Sequence, residues 1–169
     1  ATLYAVETGG LVPVDRPEDS SWAKPITLPS AGGGLVGTLD DYLTFCEAIR
    51  QGGALEGSRI LGRRTVDLMG LNHMPGGRDL AAMGQPVFSE TSYEGYGFGL
   101  GFSVNLGPGP TATAGSLGEI AWGGAASTIF WVDPVEDLAV ILMTQFMPSG
   151  TFNFRGQMKA LVYPAIEPA

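Results

Sequence analysis

The chain has 169 residues, 44% of them hydrophobic, with 26 Gly and 12 Pro, and nine basic against 17 acidic side chains give it a net charge of −8. That length suits one globular domain with a sizeable core, while the acidic balance and the lack of a Lys/Arg cluster exclude electrostatic capture of nucleic acid. No stretch approaches the roughly 18 uncharged apolar residues of a membrane span, and one His with one Cys leave too few soft ligands for a structural zinc site, so no metal or cofactor is implied.

In chain order, residues 1–7 begin without Met, a basic stretch or a small-residue cleavage site. They do not resemble a signal peptide and read as the middle of a longer polypeptide. Residues 12–30 are polar and carry Pro13, Pro17, Pro25 and Pro29, which predicts an extended loop. The Gly-rich run 31–37 is a flexible turn into a helix, with Thr38 as N-cap and Asp41 three residues on. Leu39, Tyr42, Leu43, Cys46 and Ile49 repeat at helical spacing until Gly52-Gly53 stops the run. Cys46, the single cysteine, falls on that stripe as a small buried hydrophobe; it cannot form an internal disulfide, so no redox compartment is implied. Residues 63–71 predict a shorter helix with Val66 and Met69 on one side, and residues 73–94 a loop without periodicity.

The period then changes from 3.6 to 2. Tyr96, Phe98, Leu100, Phe102 and Val104 alternate with Gly97, Gly99, Gly101 and Ser103, which predicts one strand whose bare face invites another backbone or layer. Residues 119–123, 127–132 and 138–145 predict three more strands. The turn 133–137 makes the last two an antiparallel hairpin. Residues 152–163 close the pattern as an amphipathic helix with Phe154, Met158, Leu161 and Val162 facing inward, ended by Pro164. The expected fold is α+β, an antiparallel sheet flanked by helices gathered on one side. It forms a single domain over 1–169, with a loop and helical part at 1–95 and the sheet and last helix at 96–169.

Candidate chemistry is sparse. There is no Gly-x-Ser-x-Gly and no Gly-rich phosphate loop followed by Lys. His73 sits in a Gly/Pro loop and reads as an exposed imidazole rather than a triad member. Ser21 and Lys24 match Ser-x-x-Lys, a spacing that activates a serine only on a helix. Pro25 disfavours helical geometry at Lys24, so a solvated loop is expected; were the dyad real, mutating Ser21 would abolish turnover. The pair Asp40 and Asp41 suits a helix start, and the pair Glu136 and Asp137 a hairpin turn. The remaining feature is residues 118–127, a strand ending in Gly123-Gly124-Ala125-Ala126. Its uncovered backbone could stabilise an oxyanion with fixed N–H groups, or be a glycine bulge.

Several segments taken together resemble the C-terminal half of the serine β-lactamase-like superfamily, which includes class C β-lactamases, penicillin-binding proteins and family VIII carboxylesterases. They are 32–38 with Asp41-Tyr42, then 96–102, then Trp122-Gly123-Gly124-Ala125 leading to Trp131-Val132-Asp133-Pro134. Residues 158–163 are similar to the last helix of the esterase branch. The resemblance implies the C-terminal portion of a β-lactamase/transpeptidase-like fold. It puts Trp122, Gly123 and Gly124 at the family's third motif, Lys-Thr-Gly or His-x-Gly, as substrate-binding residues, and makes the Ala125 N–H half of the oxyanion hole. Trp122 in place of a cation favours esters with neutral acyl groups over lactams.

Two departures follow. The nucleophilic Ser and its Lys have no counterpart here, and no Tyr is followed two residues later by Asn or Ser. Both motifs lie upstream in the family, so the resemblance implies that the nucleophile is not in this chain. The whole protein would be a serine hydrolase, carboxylesterase or β-lactamase-like, acting on a small ester or lactam through an acyl-enzyme. The chain would then pair with its missing N-terminal half or with another copy. The alternative is a binding or interaction module that kept the sheet and lost the chemistry.

Overall fold

The computed structural model describes residues 1–30, 32–33, 35–83 and 92–166. Ala31 and Gly34 of the glycine turn, and 84–91 of the long loop, lie outside the described residues. The elements are β1 (Leu3–Glu7), β2 (Gly10–Asp15), α1 (Leu39–Arg50), β3 (Ala54–Leu55), β4 (Ser58–Arg59), α2 (Arg63–Met69), β5 (Tyr96–Phe98), β6 (Ser103–Asn105), α3 (Pro108–Thr111), β7 (Ile120–Gly123), β8 (Ile129–Asp133), β9 (Leu138–Leu142), β10 (Phe146–Met147) and α4 (Phe154–Val162). Strands β5 to β9 form an antiparallel sheet in sequence order. A smaller sheet has the order β10-β1-β2, with Tyr4 opposite Phe146 in a parallel pair.

Both faces of the five-stranded sheet are covered. On one, Cys46 and Ile49 of α1 join Phe102, Val104, Ile120, Phe130 and Val132, with Val66 and Met69 of α2 packed alongside. On the other, Ala121, Ile129 and Trp131 meet Met158 and Val162 of α4 and Tyr163 just beyond it. Alternation along β7 and β8 delivers apolar side chains to both faces, so helices lie on each side rather than gathering on one.

The predicted capping box forms. Thr38 Oγ1 accepts the Asp41 N–H at 3.1 Å, and Asp41 Oδ2 accepts the Thr38 N–H at 2.9 Å. Cys46 is fully buried, as its place on the stripe requires. The Asp133–Asp137 turn joins β8 to β9 as an antiparallel hairpin.

Several further expectations are corrected. The predicted strand over 96–104 is a hairpin, β5 and β6, turned at 99–102, where Gly101 takes a positive φ of 101°. Side-chain alternation hides such a turn, because Leu100 and Phe102 keep the period while the backbone reverses. The expected close approach is present at this glycine face: the Leu100 N–H reaches the Met69 carbonyl at 3.1 Å, and a Cβ at Gly99 would run into that same carbonyl. The predicted loop from residue 12 begins within β2, which pairs with β1 through Pro13 at an edge. Finally, Leu161 points away, 71% exposed, while Arg155 and Lys159 occupy the inward face of α4. The last strand is also shorter than predicted, ending at Leu142.

Candidate active site

Strand β7 carries the tryptophan-diglycine stretch to the end of the sheet. Its last rungs pair Trp122 with Phe130 and Gly123 with Ile129. The chain then makes a tight turn over Gly124-Ala125-Ala126-Ser127, closed by the Ser127 N–H on the Gly124 carbonyl at 3.0 Å. Ser127 adopts a positive φ of 63° to do so. The turn is tied down from several sides. Gly124 N–H donates to the Thr128 carbonyl at 2.8 Å. The Ala126 carbonyl accepts from Thr144 Oγ1 at 2.7 Å and from the Phe146 N–H at 3.1 Å. Ser127 Oγ donates to the Phe146 carbonyl at 2.7 Å.

At the crest, Ala125 is exposed and its N–H, like that of Ala126, meets no acceptor among the described residues. A donor fixed in space and facing solvent is what an oxyanion needs. The turn supplies it with backbone alone. Gly124 has no room for a side chain, since a Cβ would lie 2.5 Å from Thr128 Oγ1.

Trp122 is half-buried beside this turn. Its ring stands edge-on to Phe98 at 5.1 Å between centroids and lies 5.8 Å from Tyr93. Tyr93 in turn packs against Tyr96 at 5.8 Å. Trp122 and Phe98 make a half-buried aromatic wall, with Tyr93 and Tyr96 buried behind it. The wall is apolar, with no cation at the Trp122 position.

The face of β7 toward α4 holds a buried ionic cluster. Lys159 Nζ lies 2.6 and 2.7 Å from the two Glu119 oxygens and 3.3 Å from the Tyr96 hydroxyl. The Tyr163 hydroxyl sits 2.7 Å from Glu119 Oε2 and from Asp133 Oδ2. Asp133 also accepts the N–H groups of Ser116, Val135 and Glu136. Burial pushes the Glu119 carboxyl above its ordinary value, with the Lys159 ammonium and the Tyr163 hydroxyl pulling it back. Burial and the adjoining Glu119 carboxylate together raise the Tyr163 phenol. Among the described residues no cluster of His, Cys, Asp and Glu has the makings of a metal site.

The other candidates fall elsewhere. Ser21 opens a single helical turn of three residues, and Lys24 is extended, at φ −94° and ψ 161°, as Pro25 requires. Both are exposed, so the helical dyad geometry is absent. His73 is exposed, its Nε2 2.8 Å from the Leu68 carbonyl. Asp40 and Asp41 start α1, and Glu136 and Asp137 lie in the β8–β9 turn, where Asp137 pairs with Arg50. Residues 122–125, singled out by the sequence, lie at the end of β7 and in the turn that follows it, whereas Glu119, Asp133, Arg155 and Lys159 carry no sequence motif for a site. The available signal is Glu119 heading a strand whose alternate residues are buried, with a cation pair at i, i+4 on the last helix.

The chain matches the Beta-lactamase family model over residues 2–162. Two curated relatives from Mycobacterium tuberculosis strains, Protein Rv1367c and the uncharacterized protein MT1414, are each 34% identical over 154 residues. The match covers 88% of this chain but only 36% of either relative. Among solved structures, EstCE1, described as a hydrolase with promiscuous acyltransferase activity, superposes with a TM-score of 0.67 at 24% identity. It is covered over 43% of its length by 96% of this chain. Simvastatin synthase (LovD) from Aspergillus terreus, in its unliganded selenomethionyl form, gives 0.66 at 19% identity, with 88% of this chain on 36% of that one. At these identities the superpositions speak for the fold. A family model that runs almost the length of the chain, on the architecture those structures share, makes this chain a member of the Beta-lactamase family.

Proposed function

We propose that the chain is the C-terminal portion of a serine hydrolase acting through an acyl-enzyme, with the Ser-x-x-Lys and Tyr motifs on an upstream segment. The observation that carries this reading is the unpaired N–H of the exposed residue Ala125, at the crest of the turn after Trp122-Gly123-Gly124. The upstream Ser attacks the substrate carbonyl, activated by the upstream Lys and Tyr. The Ala125 N–H holds the oxyanion of the tetrahedral intermediate, and collapse expels the alcohol. The half-buried rings of Trp122 and Phe98, with Trp122 standing where a cation would bind a lactam carboxylate, favour esters with neutral acyl groups over lactams. The partner of this chain in the folded protein is the N-terminal half that carries the nucleophile, or a second copy.

The decisive experiment expresses the polypeptide with its upstream coding sequence and assays p-nitrophenyl acetate. A fluorophosphonate should label a serine upstream of residue 1, at the head of an apolar helix, and the 169-residue chain alone should take up no label. Covalent labelling of the isolated chain would overturn the proposal. Upstream sequence without Ser-x-x-Lys would favour the non-catalytic module instead.

A further inference from the structure

Two cations on α4 are buried against β7. Arg155 and Lys159 are one helical turn apart, and each is less than 5% exposed. Lys159 holds Glu119, the residue before β7. Arg155 reaches the other end: a Cβ added to Gly123 would lie 2.8 Å from an Arg155 terminal nitrogen. The Arg155 guanidinium also covers the Tyr93 ring at 5.5 Å, and Tyr93 backs Trp122. Helix and strand therefore run in opposite directions. Four residues of strand cover ~13 Å, against ~6 Å for four residues of helix, so the two side chains splay apart to reach both ends.

We propose that α4 clamps β7 at two points, and that Arg155 is a positioning residue for the Gly123–Ala125 backbone. Gly123 has no side chain because the guanidinium fills that space. The cation supports the strand from below where it turns away into the exposed amides, and it fixes Tyr93 behind Trp122. Lys159 sets the other end, so strand β7 cannot slide along the helix. One planar group thereby sets the level of the turn and the pose of the aromatic wall. A lysine, lacking the flat fork, cannot cover the ring and the strand together.

The catalytic readout of this proposal rests on the serine hydrolase reading; the exchange readout does not. In the full-length polypeptide, Arg155→Met should speed hydrogen exchange of the Gly124 amide, which bonds Thr128, by about tenfold or more, and leave amides in the β8–β9 ladder unchanged. In an active wild type, kcat for a p-nitrophenyl ester should fall by about 10- to 100-fold with KM little altered, and Arg155→Lys should lie between. If Arg155→Met does not fold, Arg155→Lys carries the same expectations at reduced size. Unchanged Gly124 exchange would overturn the clamp, as would equal acceleration across the whole sheet, which marks a merely structural arginine. Faster Gly124 exchange with unchanged kcat in an active enzyme would overturn it too. A wild type without turnover counts against the hydrolase reading, and the exchange result then decides the clamp alone.

Discussion

Single atoms carry the main expectations. Replacing the Ala125 amide by an ester, through semisynthesis with lactic acid at that position, deletes one N–H and no side chain. On the proposed reading it should lower kcat of the intact enzyme by about 10²–10³-fold; a loss below twofold would remove Ala125 from the site. At the other end of β7, Lys159→Met strands the Glu119 carboxylate in the interior, and unfolding in urea should show a loss of about 3–5 kcal/mol. Replacing Glu119 with Leu in the same variant should restore much of it. Burial already raises the Glu119 carboxyl above its ordinary value of 4.5, so the folded state holds that proton more tightly than the unfolded chain. Loss of the ammonium strengthens this, and the penalty of Lys159→Met should therefore grow as pH rises from acid toward neutral. Cys46 gives a simpler check. Burial pushes its thiol from 9.0 up to about 12, so stability linked to the protonated thiol is present below pH 9 and drains away between 9 and 12. At pH 8 an aromatic disulfide reagent should react with Cys46 only as fast as the protein opens. The placement of Cys46 was readable from helical spacing because burial of an apolar stripe is a local pattern. The roles of Arg155 and Lys159 were not, because their partners sit more than thirty positions away and a cation pair at i, i+4 on a helix ordinarily faces water.

Among the elements, α1 shows how far local chemistry reaches. Thr38 and Asp41 satisfy each other's backbone donors, and the hydrophobic repeat follows at once, so start and face were both legible. Thr38→Ala should cost about 1 kcal/mol by thermal melting. The Asp41 carboxyl is held below its ordinary range by the N–H and hydroxyl of Thr38. Its contribution is thus present above the ordinary carboxylate value and lost as pH falls through the lowered one. Asp41→Asn should flatten the acid limb of the melting curve. The β8–β9 hairpin was equally legible, since Asp133-Pro134 announces its turn. The β5–β6 hairpin was not: alternating Gly and large apolar residues keep period 2 through residues 99–102, and only packing against the Met69 carbonyl reveals where the backbone doubles back. Helix α4 was found, but its inward face was assigned by hydrophobicity, which ranks Leu161 above a lysine that an interior carboxylate had already claimed.

For the molecule as a whole, the five-stranded sheet ends at β9, whose outer edge is unpaired among the described residues. Its sequence, Leu-Ala-Val-Ile-Leu, is apolar on both faces and half-buried throughout. Such an edge is a template for further strands. On the proposed reading, the isolated 169-residue chain should sediment as an associated species or precipitate, and co-expression with the upstream polypeptide should return it to a single soluble form. A monomer that melts cooperatively would argue against an edge built to receive another strand. The acidic surface and the layered core were legible from composition and periodicity, whereas the covering of both sheet faces depended on how the last helix returns, which no local pattern encodes. One carboxylate has a reach that matches this scale. Asp133 gathers the backbone at Ser116, its own hairpin turn and the phenol that follows α4, so three stretches remote in sequence share a common anchor. Their amides should lose protection together, with a single opening energy, and Asp133→Ala, which removes both acceptor oxygens, should release all three at once.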